Sequence, residues 1–178
     1  MPIQAIAVFC GSKSGADPLY EQHAIHLGSL LANKGVNIIY GGGNKGLMGA
    51  VANAAIAHRG NVIGIMPEIL RDWEHHHQGL SELLIVDSMH TRKRMLYERC
   101  DAAIILPGGY GTLDEVFEIL TWNQLNIHQK DIFFLDSGGF YEHLIRHIEF
   151  MRIQGFLYEA MEYKLTVLKE PEELLPYL

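Results

Sequence analysis

Short apolar runs separated by amphipathic stretches are the feature that most limits how this 178-residue chain can fold. The runs are continuously apolar rather than alternating, which is typical of parallel strands buried on both faces. Since helices alternate with these strands, the sequence predicts an α/β fold. Right-handed crossovers then build a doubly wound parallel sheet with helices on both faces. The strands are predicted at Ile6–Cys10, Val36–Tyr40, Asn61–Met66, Glu82–Asp87, Ala102–Leu106 and Asp131–Asp136, with a last one in the tail that begins at residue 164.

Capping residues mark the starts of several predicted helices. Asp17 is placed to cap a helix whose first residue is Pro18. Ser88 is placed to cap another, and a further helix is predicted from about residue 140 to residue 152. The chain shows no internal repeat, low-complexity segment or linker, so a single domain is predicted across residues 1–178.

Composition and charge argue against several classes of protein. A hydrophobic fraction of 48% and a charged fraction of 20% are ordinary for a soluble globular domain. The net charge of −7 argues against a nucleic-acid partner, although a local cationic patch could still hold a small anion. Cys10 and Cys100 are too few for a disulfide or metal framework and are expected to be buried thiols. The N-terminus lacks a basic region and no apolar run is long enough to span a membrane, so we expect a cytoplasmic protein with no membrane partner.

Ligand-binding residues are expected in the loops that follow the strands, because ligands of doubly wound sheets bind outside the carboxyl ends of the strands. This rule selects the loops at 11–16, 41–46, 67–79 and 107–111. The third loop contains His75, His76 and His77, which cannot all face one ion from regular structure. They are interpreted as loop residues, and no metal site is predicted.

The segment Gly41–Gly46 matches the pattern G-x-G-x-x-G between a strand and a helix. Its glycines would let backbone N–H groups approach a phosphate at the start of that helix. A dinucleotide fingerprint belongs to the first strand–helix turn and requires an acidic residue about 20 positions later. Here the pattern follows the second strand, and Glu68 lies where a loop has begun. The match to a dinucleotide fingerprint is therefore weak. Binding of NAD(P) and a purely structural turn remain the two alternatives to binding of a mononucleotide phosphate at this segment.

A second glycine-rich segment, Pro107–Thr112, also joins a strand to a helix. Two such turns at one edge of a sheet suggest one ligand held from both sides. With Thr112 as the N-cap, Glu115 occupies the third helical position and forms a capping box with the backbone of Thr112. Catalysis by Glu115 is the alternative. Asp114 cannot share a helix face with Glu115, so a paired-carboxylate mechanism is not expected.

The run Arg92-Lys93-Arg94 concentrates positive charge on one helix of an acidic protein. Arg92 shares a helical stripe with Met89 and Leu96, where an apolar side chain would be expected. A half-buried guanidinium requires a carboxylate or a phosphate as its partner. A solvated helix face is the alternative interpretation of this run.

Together, these segments resemble the LOG (Lonely Guy) family of phosphoribohydrolases, whose members were once labelled possible lysine decarboxylases. The P-G-G-x-G-T-x-x-E motif of that family corresponds to Pro107–Glu115. The Y-G-G-G-x-x-G-L-M-G segment corresponds to Tyr40–Gly49, and the M-H-x-R-K segment to Met89–Lys93. The chain departs from the pattern at Thr91 and Asp114, where many members have glutamate.

The resemblance implies a Rossmann-like fold, a homodimer and an enzyme that needs no cofactor. It implies hydrolysis of the N-glycosidic bond of a nucleoside 5′-monophosphate, such as AMP or a cytokinin riboside monophosphate, to the free base and ribose 5-phosphate. The implied catalytic residues are Arg92 and Glu115. The implied substrate-binding residues are Gly11, Ser12, Gly42, Gly43, Gly46, Met48, Pro67, Lys93, Gly108, Gly109, Gly111 and Thr112.

The implied chemistry is consistent with these residue types. Glu115 could stabilise the oxocarbenium character of the ribose, bind its hydroxyls and orient the attacking water. Arg92 could fix Glu115, help hold the nucleotide or assist the departing base, and the sequence leaves these roles open. A decarboxylase would need a lysine for a pyridoxal phosphate Schiff base, and we identify no lysine in a comparable setting. A protein that binds a nucleotide without cleaving it is the alternative function.

Overall fold

A parallel β-sheet forms the centre of the protein, which a computed structural model describes at residues 2–71, 76–158 and 165–178. Within these residues the strand order is β4-β3-β2-β1-β5-β6-β7, and every neighbouring pair is parallel. The strands are β1 (Ala5–Phe9), β2 (Asn37–Tyr40), β3 (Val62–Pro67), β4 (Glu82–Val86), β5 (Ala102–Ile105), β6 (Asp131–Leu135) and β7 (Leu165–Leu168). The predicted strands are all present, and the first six differ from their predicted bounds by no more than one residue at either end.

Two of the helices between the strands, at residues 18–33 and 89–98, begin with a side-chain cap. Asp17 Oδ1 accepts a hydrogen bond from Leu19 N at 2.9 Å, and Ser88 Oγ accepts one from Thr91 N at 3.1 Å, which confirms both predicted caps. The α-helices are α1 (Pro18–Asn33), α2 (Gly46–Ala57), α3 (Glu68–Arg71), α4 (Met89–Glu98), α5 (Tyr110–Gln124) and α6 (Glu142–Ile153). Short 3₁₀ helices cover Ser137–Gly139 and Pro171–Tyr177.

Two apolar layers cover the sheet, one on each face. Along β1, Ile6 and Val8 face the layer that contains α1 and α2, whereas Ala7 and Phe9 face the layer that contains α4, α5 and α6. This alternation follows from the twofold period of a strand, and both faces are apolar because both are covered. The predicted fold class, a doubly wound α/β sheet, is confirmed.

The chain changes direction across the sheet between β1 and β5. From β1 it proceeds outwards through β2, β3 and β4, and it then returns to the other side of β1 to add β5, β6 and β7. Leu106 N donates to Phe9 O at 2.9 Å and Gly11 N donates to Pro107 O at 3.0 Å, so the loops after β1 and β5 are joined beyond the strand ends. Ligands bind at such switch points in open α/β sheets.

Cys10 and Cys100 are both buried and free, as predicted. Across residues 2–71, 76–158 and 165–178, none of the helices has both the length and the apolar character that crossing a bilayer requires.

Candidate active site

A cavity of about 520 Å³ opens at the carboxyl ends of β1 and β5. Backbone from the loops after these strands forms part of its wall, and α2, α4 and α5 contribute side chains. Both predicted catalytic residues line it. The predicted substrate-binding residues that also line it are Gly11, Ser12, Met48, Gly108, Gly109, Gly111 and Thr112.

Arg92 and Glu115 form a buried ion pair in the cavity wall. Arg92 Nη1 lies 3.1 Å from Glu115 Oε1, and the two residues are only 8% and 7% exposed. Arg92 Nε also donates to Ile65 O at 3.2 Å, so the guanidinium is held by both β3 and α5. The expected carboxylate partner of Arg92 is therefore present. Such a pair is maintained because either charge alone would be costly to bury.

The capping box predicted for Thr112 and Glu115 is wrong. The N-cap of α5 is Gly109, so Thr112 lies inside the helix and Glu115 lies in its second turn. Gly108 permits this earlier start, because a Cβ at that position would clash with Thr112 Oγ1 in the first turn. Glu115 therefore has no helix terminus to cap, and its carboxylate reaches Arg92 instead.

The N-terminus of α5 opens into the cavity and is suited to an anion. Its first-turn N–H groups have no partners within the helix, and Gly109 provides no side-chain cap. The corresponding groups of α2 are engaged, because Leu47 N and Met48 N approach Gly11 O at 3.1 and 3.4 Å. Of the two glycine-rich loops, the one that precedes α5 therefore offers the phosphate-binding geometry.

The glycines after β2 shape the wall behind Arg92. A Cβ at Gly41 would clash with Arg92 Nη2, so the absent side chain leaves space for the guanidinium. Gly42 has a φ of 82° and its carbonyl accepts from His77 N at 3.0 Å. Gly46 has a φ of 57° and lies directly against the backbone of residues 12 and 13. These contacts and φ values show that Gly42 and Gly46 help the loop to adopt its backbone conformation.

Five predicted substrate-binding residues do not line the cavity: Gly42, Gly43, Gly46, Pro67 and Lys93. Gly43 forms an isolated bridge with His76, and Pro67 ends β3. Lys93 Nζ lies 3.1 Å from Asp114 Oδ2 and 2.9 Å from Glu118 Oε2. Burial alone would lower the pKa of Lys93, but the hydrogen bonds and charges of Glu118 and Asp114 raise it above its usual value.

Lys93 belongs to a set of contacts that connects α4 to α5. Besides the Lys93 pairs, Tyr97 Oη donates to Glu115 O at 2.8 Å. Burial and the charge of Glu118 raise the pKa of Tyr97, so its hydroxyl stays a donor. These contacts set the position of α5 relative to α4 and thereby the meeting point of Arg92 and Glu115.

Several cavity residues were not selected from the sequence. Lys13 and Tyr110 lie within or next to loops that the strand-end rule selected, so a signal existed for them. Tyr20 and Phe140, whose ring centroids are 5.6 Å apart, come from α1 and from the turn before α6. Leu70 comes from α3. Leu70 falls within the selected loop 67–79, but nothing local marks Tyr20 and Phe140 as neighbours of the cavity, because only the packing of separate elements brings them there.

Cys10 contributes an uncharged thiol to the cavity wall. Burial and the neighbouring charge of Glu115 raise its pKa, so the thiol stays protonated at neutral pH. A protonated thiol is a weak nucleophile, so Cys10 is not expected to act as one.

The predicted loop histidines have structural contacts where they are described. His77 Nε2 bonds with Asn53 Oδ1 at 2.9 Å, and burial lowers the pKa of His77. His76 Nε2 bonds with Gln78 Nε2 at 2.9 Å. His75 lies outside the described residues. Among the residues that are described, no three histidine, cysteine or carboxylate side chains form a group suited to a metal ion.

Known proteins resemble this chain over most of its length. A family described as "Possible lysine decarboxylase" matches residues 48–178. A cytokinin riboside 5′-monophosphate phosphoribohydrolase of Rhodococcoides fascians is 39% identical over 170 residues, which cover 95% of this chain and 86% of that protein. This chain belongs to the LOG family. The LOG7 phosphoribohydrolase of Arabidopsis thaliana is 42% identical over 153 residues, which cover 85% of this chain and 70% of that protein.

Solved structures support the same fold for this LOG family member. A molybdenum cofactor binding protein from Rippkaea orientalis matches with a TM-score of 0.72 at 23% identity, covering 99% of this chain and 95% of that one. The molybdenum cofactor carrier protein of Chlamydomonas reinhardtii matches with a TM-score of 0.73 at 17% identity, covering 97% of this chain and 93% of that one. At these identities the likeness concerns the fold alone.

Proposed function

We propose that this protein hydrolyses the N-glycosidic bond of a nucleoside 5′-monophosphate and releases the free base and ribose 5-phosphate. The observation that carries the proposal is the buried Arg92–Glu115 pair on the wall of a cavity into which the N-terminus of α5 opens. The relatives at 39% and 42% identity bear the name of this activity. AMP and cytokinin riboside monophosphates are the proposed substrates.

The first step is binding of the 5′-phosphate at the start of α5. The backbone N–H groups of residues 110–112 are oriented by the helix, and the helix dipole favours an anion there. Glu115 lies one turn further along the same helix. A nucleotide held by its phosphate therefore has its ribose next to the Glu115 carboxylate.

The bond-breaking step then uses the negative charge of Glu115. As the bond between C1′ and the base nitrogen lengthens, positive charge grows on the ribose, and a nearby carboxylate stabilises it. Water adds its oxygen to C1′, the bonding electron pair leaves with the base, and the base gains a proton. Arg92 balances the charge of Glu115 in the buried wall and holds its carboxylate in place.

Product analysis tests this function. The folded protein is incubated separately with AMP and with isopentenyladenosine monophosphate, and the products are separated. We expect free base and ribose 5-phosphate in equal amounts from at least one substrate. Release of no base from either one would contradict the proposal, and tight AMP binding without turnover would support a nucleotide-binding protein instead.

We also propose that the protein is a homodimer. In the layer that contains α5 and α6, large apolar side chains are exposed: Phe117, Leu125 and Ile127 at or just after α5, and Phe150 and Ile153 on α6. Leu125, Ile127 and Ile153 are each more than 60% exposed, and exposed large apolar side chains in one layer are typical of an interaction surface. We propose that these side chains are buried against a second copy of this chain.

The proposed location is the cytoplasm, with no nucleic acid or membrane as partner. The two unpaired, buried thiols are compatible with a reducing compartment. The net charge of −7 disfavours nucleic acid and anionic membrane surfaces. Fluorescence microscopy of a tagged copy in its source cells would test the location.

A further inference from the structure

We propose that Lys13 binds the 5′-phosphate of the substrate and makes the enzyme prefer nucleotides over nucleosides. This inference rests on the proposed function, because it names the residue that supplies the phosphate-binding charge in the same cavity. Lys13 was not among the residues selected from the sequence.

The first support is the position of Lys13 beside the start of α5. Lys13 lines the cavity from the loop after β1, two residues beyond Gly11. Gly11 N donates to Pro107 O at 3.0 Å, so this loop lies directly against the loop that leads into α5. The long side chain of Lys13 and the first-turn N–H groups of α5 therefore belong to the same end of the cavity.

The second support is that the backbone of Lys13 is held in place. Gly46, with a φ of 57°, packs directly against Ser12 and Lys13, and a Cβ there would clash with both backbones. The carbonyl oxygen of Lys13 lies 3.1 Å from the position that a Cβ on Gly11 would occupy. The loop after β1 is thus packed against the start of α2, which fixes the point from which the side chain of Lys13 extends.

The third support is the charge of the cavity. Among the described residues that line the cavity, the side chains of charged type are Lys13, Arg92 and Glu115. Arg92 and Glu115 neutralise one another at 3.1 Å. No carboxylate in the part of the chain that the structure describes forms an ion pair with Lys13. The described lining of the cavity therefore has an excess of one cationic side chain, although the whole protein has a net charge of −7.

The chemistry of Lys13 suits a phosphate group. Lysine binds phosphate as a point charge with three donors, and an exposed ammonium needs little desolvation before it does so. The N-terminus of α5 supplies donors but only a partial charge, so it does not by itself balance a phosphate that carries nearly two negative charges. Together they match the phosphate shared by the substrate and the ribose 5-phosphate product.

The effect of Lys13 is expected in binding rather than in bond cleavage. The phosphate keeps its charge throughout the reaction, so its contact with Lys13 stabilises the ground state and the transition state equally. Loss of such uniform binding raises KM and leaves kcat unchanged. A nucleoside, which has no phosphate, gains nothing from Lys13.

Steady-state kinetics of Lys13→Met, Lys13→Arg and Lys34→Met test the proposal. Lys34 is an exposed lysine just after α1, and its loss changes the net charge equally without touching the cavity. For Lys13→Met we expect KM for AMP to rise about tenfold, with kcat within about twofold, since a charged hydrogen bond of that strength is lost. Lys13→Arg and Lys34→Met should retain the wild-type KM within about threefold, and adenosine hydrolysis should be unchanged in all three variants.

Calorimetry with ribose 5-phosphate separates this inference from the proposed function, because it requires no turnover. We expect Lys13→Met to bind ribose 5-phosphate about tenfold more weakly than the wild-type protein, and Lys34→Met to bind it equally well. If AMP were not hydrolysed but this difference persisted, the proposed function would fail and the role of Lys13 would stand. Equal affinity of Lys13→Met and wild type, or no binding by the wild-type protein, would overturn the role of Lys13.

Discussion

At the scale of single residues, the site depends on how two opposite charges are buried together. Arg92 is held by Glu115 and by the carbonyl of Ile65, and Gly41 leaves the space that its guanidinium occupies. Removal of each of these contacts is expected to change the turnover or the free energy of unfolding in a different way. Variants of Glu115 and Gly41 therefore separate the charge of the pair from its placement.

Replacement of Glu115 by glutamine tests the charge. We expect Glu115→Gln to lower kcat at least about 100-fold, because the charge that stabilises the ribose cation is lost. Arg92 would also keep its burial without a counter-charge, so the free energy of unfolding should fall by about 1–3 kcal/mol. Product release and urea unfolding measure the two effects.

Asp114→Asn is the matched control for Glu115→Gln. Asp114 is the adjacent carboxylate of α5, is exposed, and pairs with Lys93 outside the cavity. Its variant should keep kcat within about threefold, because the lost ion pair is largely solvated. If Glu115→Gln and Asp114→Asn had the same turnover, the catalytic role of Glu115 would be refuted.

Replacement of Gly41 by alanine tests the placement of the guanidinium. Gly41 does not have a positive φ, so alanine is compatible with its backbone, but the new methyl group would displace Arg92 Nη2. We expect kcat to fall about tenfold or more, since small displacements at a reacting centre are costly. Product assays would measure the fall in kcat, and circular dichroism would check that the variant is folded. Normal turnover in Gly41→Ala would show that catalysis does not depend on the position of the guanidinium.

At the scale of elements, the contacts between α4 and α5 decide which side chains meet in the cavity. Lys93 connects α4 to both Asp114 and Glu118 of α5, and Tyr97 bonds to the carbonyl of Glu115. The resemblance to the LOG family implied that Lys93 binds substrate, because Lys93 belongs to the matching segment Met89–Lys93. Adjacent residues on a helix face different directions, and here Lys93 faces α5 while Arg92 faces the cavity.

Replacement of Lys93 by methionine tests this positioning role. The change would leave Asp114 and Glu118 without their shared cation, and we expect kcat to fall about tenfold as α5 shifts. Affinity for ribose 5-phosphate, measured by calorimetry, should stay unchanged. Arg94→Met is the control, because Arg94 pairs only at 3.9 Å with Glu98 on the exposed side of α4.

The opposite pattern would support the original prediction for Lys93. If Lys93→Met weakened ribose 5-phosphate binding and left kcat intact, Lys93 would be a substrate-binding residue despite its position outside the cavity.

At the scale of the whole molecule, the order of the strands brings the parts of the site together. The change of direction between β1 and β5 leaves a crevice, and the loops after both strands form its wall. The same arrangement places α5 and α6 in one outer layer, where their apolar side chains remain exposed. The site and the proposed dimer surface therefore share one helix, α5.

Replacement of Leu125 by glutamate tests the dimer surface. We expect the wild-type protein to have the mass of a dimer in light scattering at micromolar concentration, and Leu125→Glu to shift towards the monomer because a buried charge opposes association. Ile25→Glu is the control, since Ile25 is an exposed residue of α1 on the other face of the sheet. A monomeric wild-type protein, or equal dissociation of both variants, would contradict the proposed surface.

The strands, the fold class and the glycine-rich loops could be predicted without the structure, because they follow from local periodicity and from turn residues. The sequence also marked Arg92 as a cation at a position where an apolar side chain is expected, but it left a solvated helix face as the alternative. Three features required the folded structure: Arg92 pairs with Glu115, α5 has its N-cap at Gly109 instead of Thr112, and Lys93 lies outside the cavity. The physical reason is that α4 and α5 are separate elements whose relative position depends on packing across the sheet. Local spacing places a side chain on one face of a helix, but it carries no information about what that face will contact.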